Sequence, residues 1–135
     1  PTIEGEVNNI LAQLVDFQML FEMDGKNINN YIVYDDDNTW PLELSSGMER
    51  FISSLAIRVG LINVSNLPRS NFLAIDEGWG TMDSDNLNSV YSLFQYLKSQ
   101  FQFTLIVSHI DSMRDAVDTL LEIKKEKSFS SVNFD

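Results

Sequence analysis

The sequence contains no cysteine, one histidine, three prolines, and nine Lys and Arg residues against twenty Asp and Glu. Without cysteine there is no disulfide framework and no thiolate site, which fits a reducing compartment. The shortage of positive charge leaves a net −11. That charge opposes binding to nucleic acid or an anionic membrane by this chain alone, so any contact with DNA needs a local basic face or another chain. Long apolar runs are missing as well. None approaches the roughly 18 residues of a spanning helix, and the stretch from Pro1 to Asp16 mixes polar with apolar residues rather than forming a signal peptide, so the expectation is a cytoplasmic chain with no membrane partner. The sequence starts at Pro1 rather than Met, as expected of a processed chain or a piece of a longer protein.

What is present is enough for one folded unit. A chain of 135 residues with 44% hydrophobic and 21% charged residues is that of a globular domain with its own core. Its most informative stretch is Phe72-Leu73-Ala74-Ile75-Asp76-Glu77, where four apolar residues run into two adjacent carboxylates. Such a run reads as a buried parallel strand, and ligands of open α/β sheets bind outside the carboxyl ends of these strands. Because side chains alternate along a strand, two neighbouring carboxylates reach one cavity only if the strand stops, as Gly78 and Gly80 suggest. A division of labour follows, with Asp76 for a metal ion and Glu77 for a water molecule. The plainer alternative is a solvated strand end.

Around this stretch the chain divides by periodicity. Ile3, Val7, Ile10, Leu11, Leu14 and Val15 lie on one helical stripe, which predicts a helix over residues 2–18, either a core helix or the stub of a coiled coil. From Met19 the pattern becomes an antiparallel meander, with strands at Met19 to Met23, Asn30 to Tyr34 and Thr39 to Leu44. Its acidic loop, Asp35-Asp36-Asp37-Asn38, lacks the Gly and Glu that a calcium loop requires and reads as a solvated turn. Ser46, with Glu49 three residues later, forms a capping box that starts a helix beside Gly47, and the first amides of such a helix suit an anion. Asp83 or Ser84 caps a further helix, which leads to a second apolar strand, Phe103 to Val107. Ser108 and the only histidine, His109, follow it. A right-handed crossover makes the two strands parallel neighbours, so His109 is expected at the same sheet edge as Asp76 and Glu77. Leu120 to Ile123 and Ser130 to Phe134 read as closing strands, with Lys124, Lys125 and Lys127 between them in a solvated hairpin.

The order of these pieces resembles the C-terminal lobe of an ATP-binding-cassette ATPase, and within that class the head of SMC-like DNA repair ATPases of the SbcC type. Ser45-Ser46-Gly47-Met48-Glu49 is similar to the signature motif, Phe72 to Glu77 to the Walker B strand with its catalytic glutamate, Gly80 to Asp83 to the D-loop, and Val107-Ser108-His109 to the switch segment. The resemblance implies an α/β fold, a mainly parallel sheet flanked by helices, with the N-terminal helix as a coiled-coil stub and residues 19–135 as the lobe itself. It further implies that Asp76 holds magnesium, Glu77 activates the attacking water, His109 contacts the γ-phosphate, Asp83 works across a dimer interface, and Ser46, Gly47, Met48 and Glu49 cap ATP held by the opposite head. The partners implied are an N-terminal P-loop lobe, a second head in a homodimer, a metal-dependent nuclease, and DNA reached through the complete complex. The activity implied is ATP hydrolysis coupled to double-strand break repair or recombination. Met48 stands where many members of the family have a second Gly.

The chain itself has no P-loop. Gly25-Lys26 is the only Gly-Lys pair; it is followed by Asn27, and Leu20 occupies the earlier Gly position. The sequence therefore reads as half of a composite head, inactive alone. Two other readings stand beside it: an ABC-like interaction module that never turns over nucleotide, and a Toprim-like metal-dependent phosphoesterase built on Asp83-Ser84-Asp85.

Overall fold

The structure is a computed structural model that describes residues 3–76, 84–108, 114 and 117–134, with backbone alone for 84–88. In chain order the elements are α1 (Ile3–Leu11), β1 (Gln18–Asp24), β2 (Asn27–Asp35), β3 (Asn38–Pro41), a 3₁₀ turn (Leu42–Leu44), α2 (Gly47–Val64), β4 (Phe72–Asp76), α3 (Ser84–Gln100), β5 (Phe103–Val107), β6 (Leu121–Glu126) and β7 (Phe129–Phe134).

The first helix is shorter than the apolar stripe that announced it. It ends at Leu11, and the chain turns there, with the amides of Leu14 and Val15 bonded to the Leu11 carbonyl at 2.9 Å. Leu14 and Phe17 still reach the core, so the helical spacing ran on beyond the helix because the turn folds back onto the same apolar interior. Asn8 fixes the approach of the following strand. Its side chain accepts from the Met19 amide at 2.8 Å and donates to the Met19 carbonyl at 3.0 Å, satisfying both backbone groups of one β1 residue from the helix.

Strands β1, β2 and β3 form the expected antiparallel meander, with Met19 paired to Ile32 and both buried in the core that α1 shares. The first turn is Gly25-Lys26, and Gly25 adopts a φ of +61°, a left-handed conformation that glycine accepts without a side-chain clash. The last strand stops at Pro41, short of the expected Leu44, because Leu42–Leu44 wind into a 3₁₀ turn. A proline lacks the N–H that would continue the ladder. The acidic loop is self-contained: Asp35 accepts from the Asp37 amide and from the Asn38 side chain, at 3.0 and 2.9 Å.

Helix α2 packs on α1 closely enough that a methyl group added at Gly60 would lie 3.1 Å from a Val7 methyl. Its buried positions Ile52, Leu55, Ala56 and Val59 recur at the helical spacing read from the sequence. One continuous core joins α1, α2, the covered faces of the meander and of β4, and the inner side of α3, which contributes Val90, Leu93, Phe94 and Leu97.

β4 and β5 run parallel in register, from Phe72 opposite Phe103 to Asp76 opposite Val107. They are joined through α3, as the crossover rule requires. The α/β class holds, but the parallel part of the described residues is this pair, while the meander and the β6–β7 hairpin are antiparallel. In the hairpin, Leu121 faces Phe134 and Ile123 faces Val132, so four apolar side chains share one face. Among the described residues no helix is long and apolar enough to cross a membrane.

Candidate functional site

Two places carry the residues that the sequence singled out. The first is the carboxyl edge of β4 and β5. Leu73 and Ile75 point into the core at 3% and 4% exposure, and the alternation of the strand turns Phe72, Ala74 and Asp76 to the other face. On β5 the same face carries Phe103, Leu105 and Val107, all exposed, with Phe103 stacked on Phe72 at a centroid separation of 5.4 Å. Asp76 thus stands at the end of an apolar strip that no described element covers. Glu77, Asp83 and His109 lie outside the described residues. So do Gly80 of the D-loop segment and, apart from Arg114 and Val117, residues 111–117, which the sequence predicts as a short helix.

The second place is the start of α2. Ser46 adopts an extended conformation at φ −64°, ψ 160°, and its Oγ accepts from the Glu49 amide at 3.2 Å. In return the Ser46 amide donates to Glu49 Oε1 at 3.2 Å. The capping box is complete, as the spacing predicts. Arg50 is the first residue whose amide bonds to a backbone carbonyl of the helix start, that of Ser46 at 3.0 Å. The amides of Gly47 and Met48 belong to the opening turn, which has no earlier helical carbonyls to bond. Met48 is not at the surface. Its side chain is 5% exposed and packs into the core, so it does not obstruct the face of the helix end.

Glu49 has a further partner that sequence reading missed. The Tyr34 hydroxyl donates to Glu49 Oε2 at 2.5 Å. Burial and then this hydrogen bond push the Tyr34 phenol well above its ordinary value of 10.0. Burial alone would raise the Glu49 carboxyl, but the hydrogen bonds from Tyr34 and Ser46 outweigh it and hold the group below its ordinary 4.5. The residues are 15 apart and on different elements, and the only sequence signal was an aromatic at the end of a strand.

The chemistry available to the described residues is that of a partial site. Asp76 can offer a carboxylate to a hard cation, and the opening turn of α2 can offer amides and a hydroxyl to a phosphate. No group of three or more His, Cys, Asp or Glu among the described residues could hold a metal ion. The donors fit one contact each to a magnesium nucleotide.

The fold is that of SMC ATPase heads. A chain from work on ATP-driven dimerisation and DNA-stimulated activation of SMC ATPases superposes with a TM-score of 0.75 at 15% identity, over 98% of this chain and 83% of that one. The Smc head of Pyrococcus furiosus, solved with an extended coiled coil and bound to the C-terminal domain of ScpA, gives 0.70 at 17% identity, over 98% of this chain and 34% of that one. No protein-family model matches. Among curated proteins, the uncharacterised protein R555 of Acanthamoeba polyphaga mimivirus is 36% identical over an alignment of 148 positions, gaps included, that covers 98% of this chain and 11% of the relative. The SbcC component of the nuclease SbcCD from Staphylococcus aureus strain JH9 is 32% identical over 93 residues, 66% of this chain and 9% of that protein. The chain is thus partially homologous to SMC-like SbcC and has the head fold, as the order of motifs implied. It spans about a tenth of the length of the curated relatives it matches.

Proposed function

We propose that this chain is the C-terminal half of an ATPase head that hydrolyses ATP together with a P-loop lobe from elsewhere in the same protein. One observation carries this reading: the face of β4 and β5 formed by Phe72, Ala74, Phe103, Leu105 and Val107 is apolar and open, and it leads to Asp76. Parallel sheets are buried on both faces, and a pair of strands needs more sheet or cover to be stable. The missing P-loop and the lack of cover among the described residues would both follow from a lobe supplied by another part of the protein. Helix α1 would continue as the coiled coil that links the two halves.

In the complete head, Asp76 would hold the magnesium ion, which neutralises charge on the phosphates when bound. Glu77 would orient and deprotonate the water, and His109 would meet the γ-phosphate. Asp83, Ser46 and the amides of Gly47 and Met48 would act across an interface with a second head. The two heads would form the ATP-bound dimer. The finer biological reading is DNA double-strand break repair or recombination, with a metal-dependent nuclease as partner. With a net charge of −11, this half would reach DNA through other parts of the assembly.

The test is a comparison of three proteins. The 135-residue chain should not hydrolyse ATP, and the full-length protein should. Full-length Glu77→Gln should retain ATP binding and lose roughly 10²- to 10⁴-fold in turnover, since the base is removed while size and hydrogen bonding stay. Asp76→Asn should weaken magnesium-dependent nucleotide binding itself. Strong hydrolysis by the 135-residue chain would refute the composite head, and near wild-type turnover of Glu77→Gln would remove that residue from catalysis.

A further inference from the structure

Tyr34 stands at an irregularity in the meander. β2 and β3 pair Val33 with Thr39 and then Asp35 with Asn38, so one extra residue, Tyr34, is accommodated on β2. A bulge of this kind bends the strand and re-aims the side chain of the extra residue. Here it sends the phenol away from the ladder to two contacts. The ring meets Phe17 edge-on, with centroids 5.7 Å apart and planes at 62°, and Phe17 is itself fixed in the core at 4% exposure. The hydroxyl reaches Glu49 Oε2.

The carboxylate of Glu49 therefore bridges two elements. Oε1 accepts from the Ser46 amide and Oε2 from the Tyr34 hydroxyl. In an ordinary capping box the N3 side chain is held only by its bond back to the cap, and on an exposed helix end it exchanges readily among rotamers. A phenol anchored on a core aromatic removes that freedom. With Glu49 held, the Ser46 amide is occupied and the Ser46 Oγ is engaged as an acceptor by the Glu49 amide.

We infer that Tyr34 is a positioning residue for the phosphate-capping turn at Ser46 to Glu49, acting through Glu49 from a bulged strand of the meander. This rests on the composite-head reading for its functional consequence, and on geometry alone for its structural part. Tyr34 touches no nucleotide in this scheme. It sets the geometry of the turn before a second head arrives, so the entropy of ordering Ser46 is not left to the moment of association.

The experiment uses the full-length protein with Tyr34→Phe, which keeps the ring against Phe17 and deletes only the hydroxyl. Without nucleotide, amide hydrogen exchange at residues 46–49 should speed up by about fivefold, the size expected for one modest hydrogen bond. ATP-dependent self-association should weaken by a similar factor, while ATP affinity of the undimerised head stays unchanged. In a Glu49→Ala background the Tyr34→Phe change should have no further effect on exchange at 46–49. A merely structural tyrosine would add its penalty in both backgrounds. Unchanged exchange at 46–49, or an equal increment with and without Glu49, overturns the inference. Ser46→Arg separates the two possible failures. Association lost with Ser46→Arg but intact with Tyr34→Phe overturns the role of Tyr34 alone, whereas association unchanged in both overturns the composite head and this inference with it.

Discussion

The two sheets at the centre of this chain were finished to different standards. In the meander, Met19 and Ile32 are buried in the core, and the opposite face carries Gln18, Glu22, Asp24, Asn27, Asn29 and Thr39 among partly covered Leu20, Tyr31 and Val33. That face can meet water. In the β4–β5 pair, Leu73 and Ile75 are equally well buried, but the opposite face is apolar from Phe72 to Val107 and acquires a charge only at Asp76. Beyond Met19 and Ile32 the meander leaves Met23, Ile28 and Trp40 exposed on their shared face, but its second face is polar, whereas no described element covers the apolar second face of the β4–β5 pair. The comparison shows that a sheet can share one continuous core on one face and leave the other apolar and exposed, because burial is decided face by face.

The widest separation of the two faces comes from two leucines near each other in the β4–β5 pair. Leu73→Ala, on the covered face, should destabilise the chain by about 2 to 5 kcal/mol, as for other buried leucines. Leu105→Ala, at 43% exposure on the open face, should cost under about 1 kcal/mol in the 135-residue chain and clearly more in the full-length protein. Urea unfolding of both variants in both contexts measures the difference. Equal penalties for Leu105→Ala in the two contexts would mean that nothing covers this face.

On the finished side, Asn8→Ala should cost about 1 to 3 kcal/mol despite a small change in volume, because it strands the amide and carbonyl of Met19 in a partly buried place. A loss well below that range would show that water replaces the side chain and that the meander is held by burial alone.

The start of α2 gives a smaller effect with a pH signature. Ser46→Ala should cost about 1 kcal/mol of stability. Since the Glu49 carboxyl is held below 4.5 in the folded chain, its contribution is present above the unfolded value and disappears as pH falls through the lowered folded value. Wild type should lose stability on acidification below about pH 4.5 more steeply than Glu49→Gln, as thermal unfolding across roughly pH 3 to 7 would register.

Two of the three described hairpin turns, β1–β2 and β6–β7, differ in the residue given to the left-handed position. The first uses Gly25 at φ +61°, and the second uses Lys127 at φ +55°. Lys127→Gly should stabilise the β6–β7 hairpin by about 0.5 kcal/mol, while Gly25→Lys should destabilise the meander by a similar amount. Nuclear magnetic resonance measurement of hairpin populations at these turns would detect either failure.

Much of this arrangement was legible in the sequence. The capping box at Ser46 and Glu49, the buried stripe of α2, the parallel pairing of Phe72–Asp76 with Phe103–Val107 and the closing hairpin all rest on local rules, in which spacing and chain connectivity settle the outcome. Where the sequence misled, the reason was tertiary. The helical stripe through Leu14 and Val15 overran Leu11 because a turn directed against a core needs apolar residues at nearly the same places as a helix. The strand expected to Leu44 ended at Pro41, where a short 3₁₀ turn leads into α2.

The sequence by itself determined the class of protein, through the fixed order of four segments that resemble those of SMC-like heads, and it shows that these 135 residues contain no P-loop. Only the tertiary structure decided which face of β4 and β5 is left open, and that Tyr34 reaches Glu49. Alternation tells which residues of a strand share a face but not what lies against it, and a bulge re-aims a side chain towards a partner 15 residues away without leaving a periodic trace in the sequence.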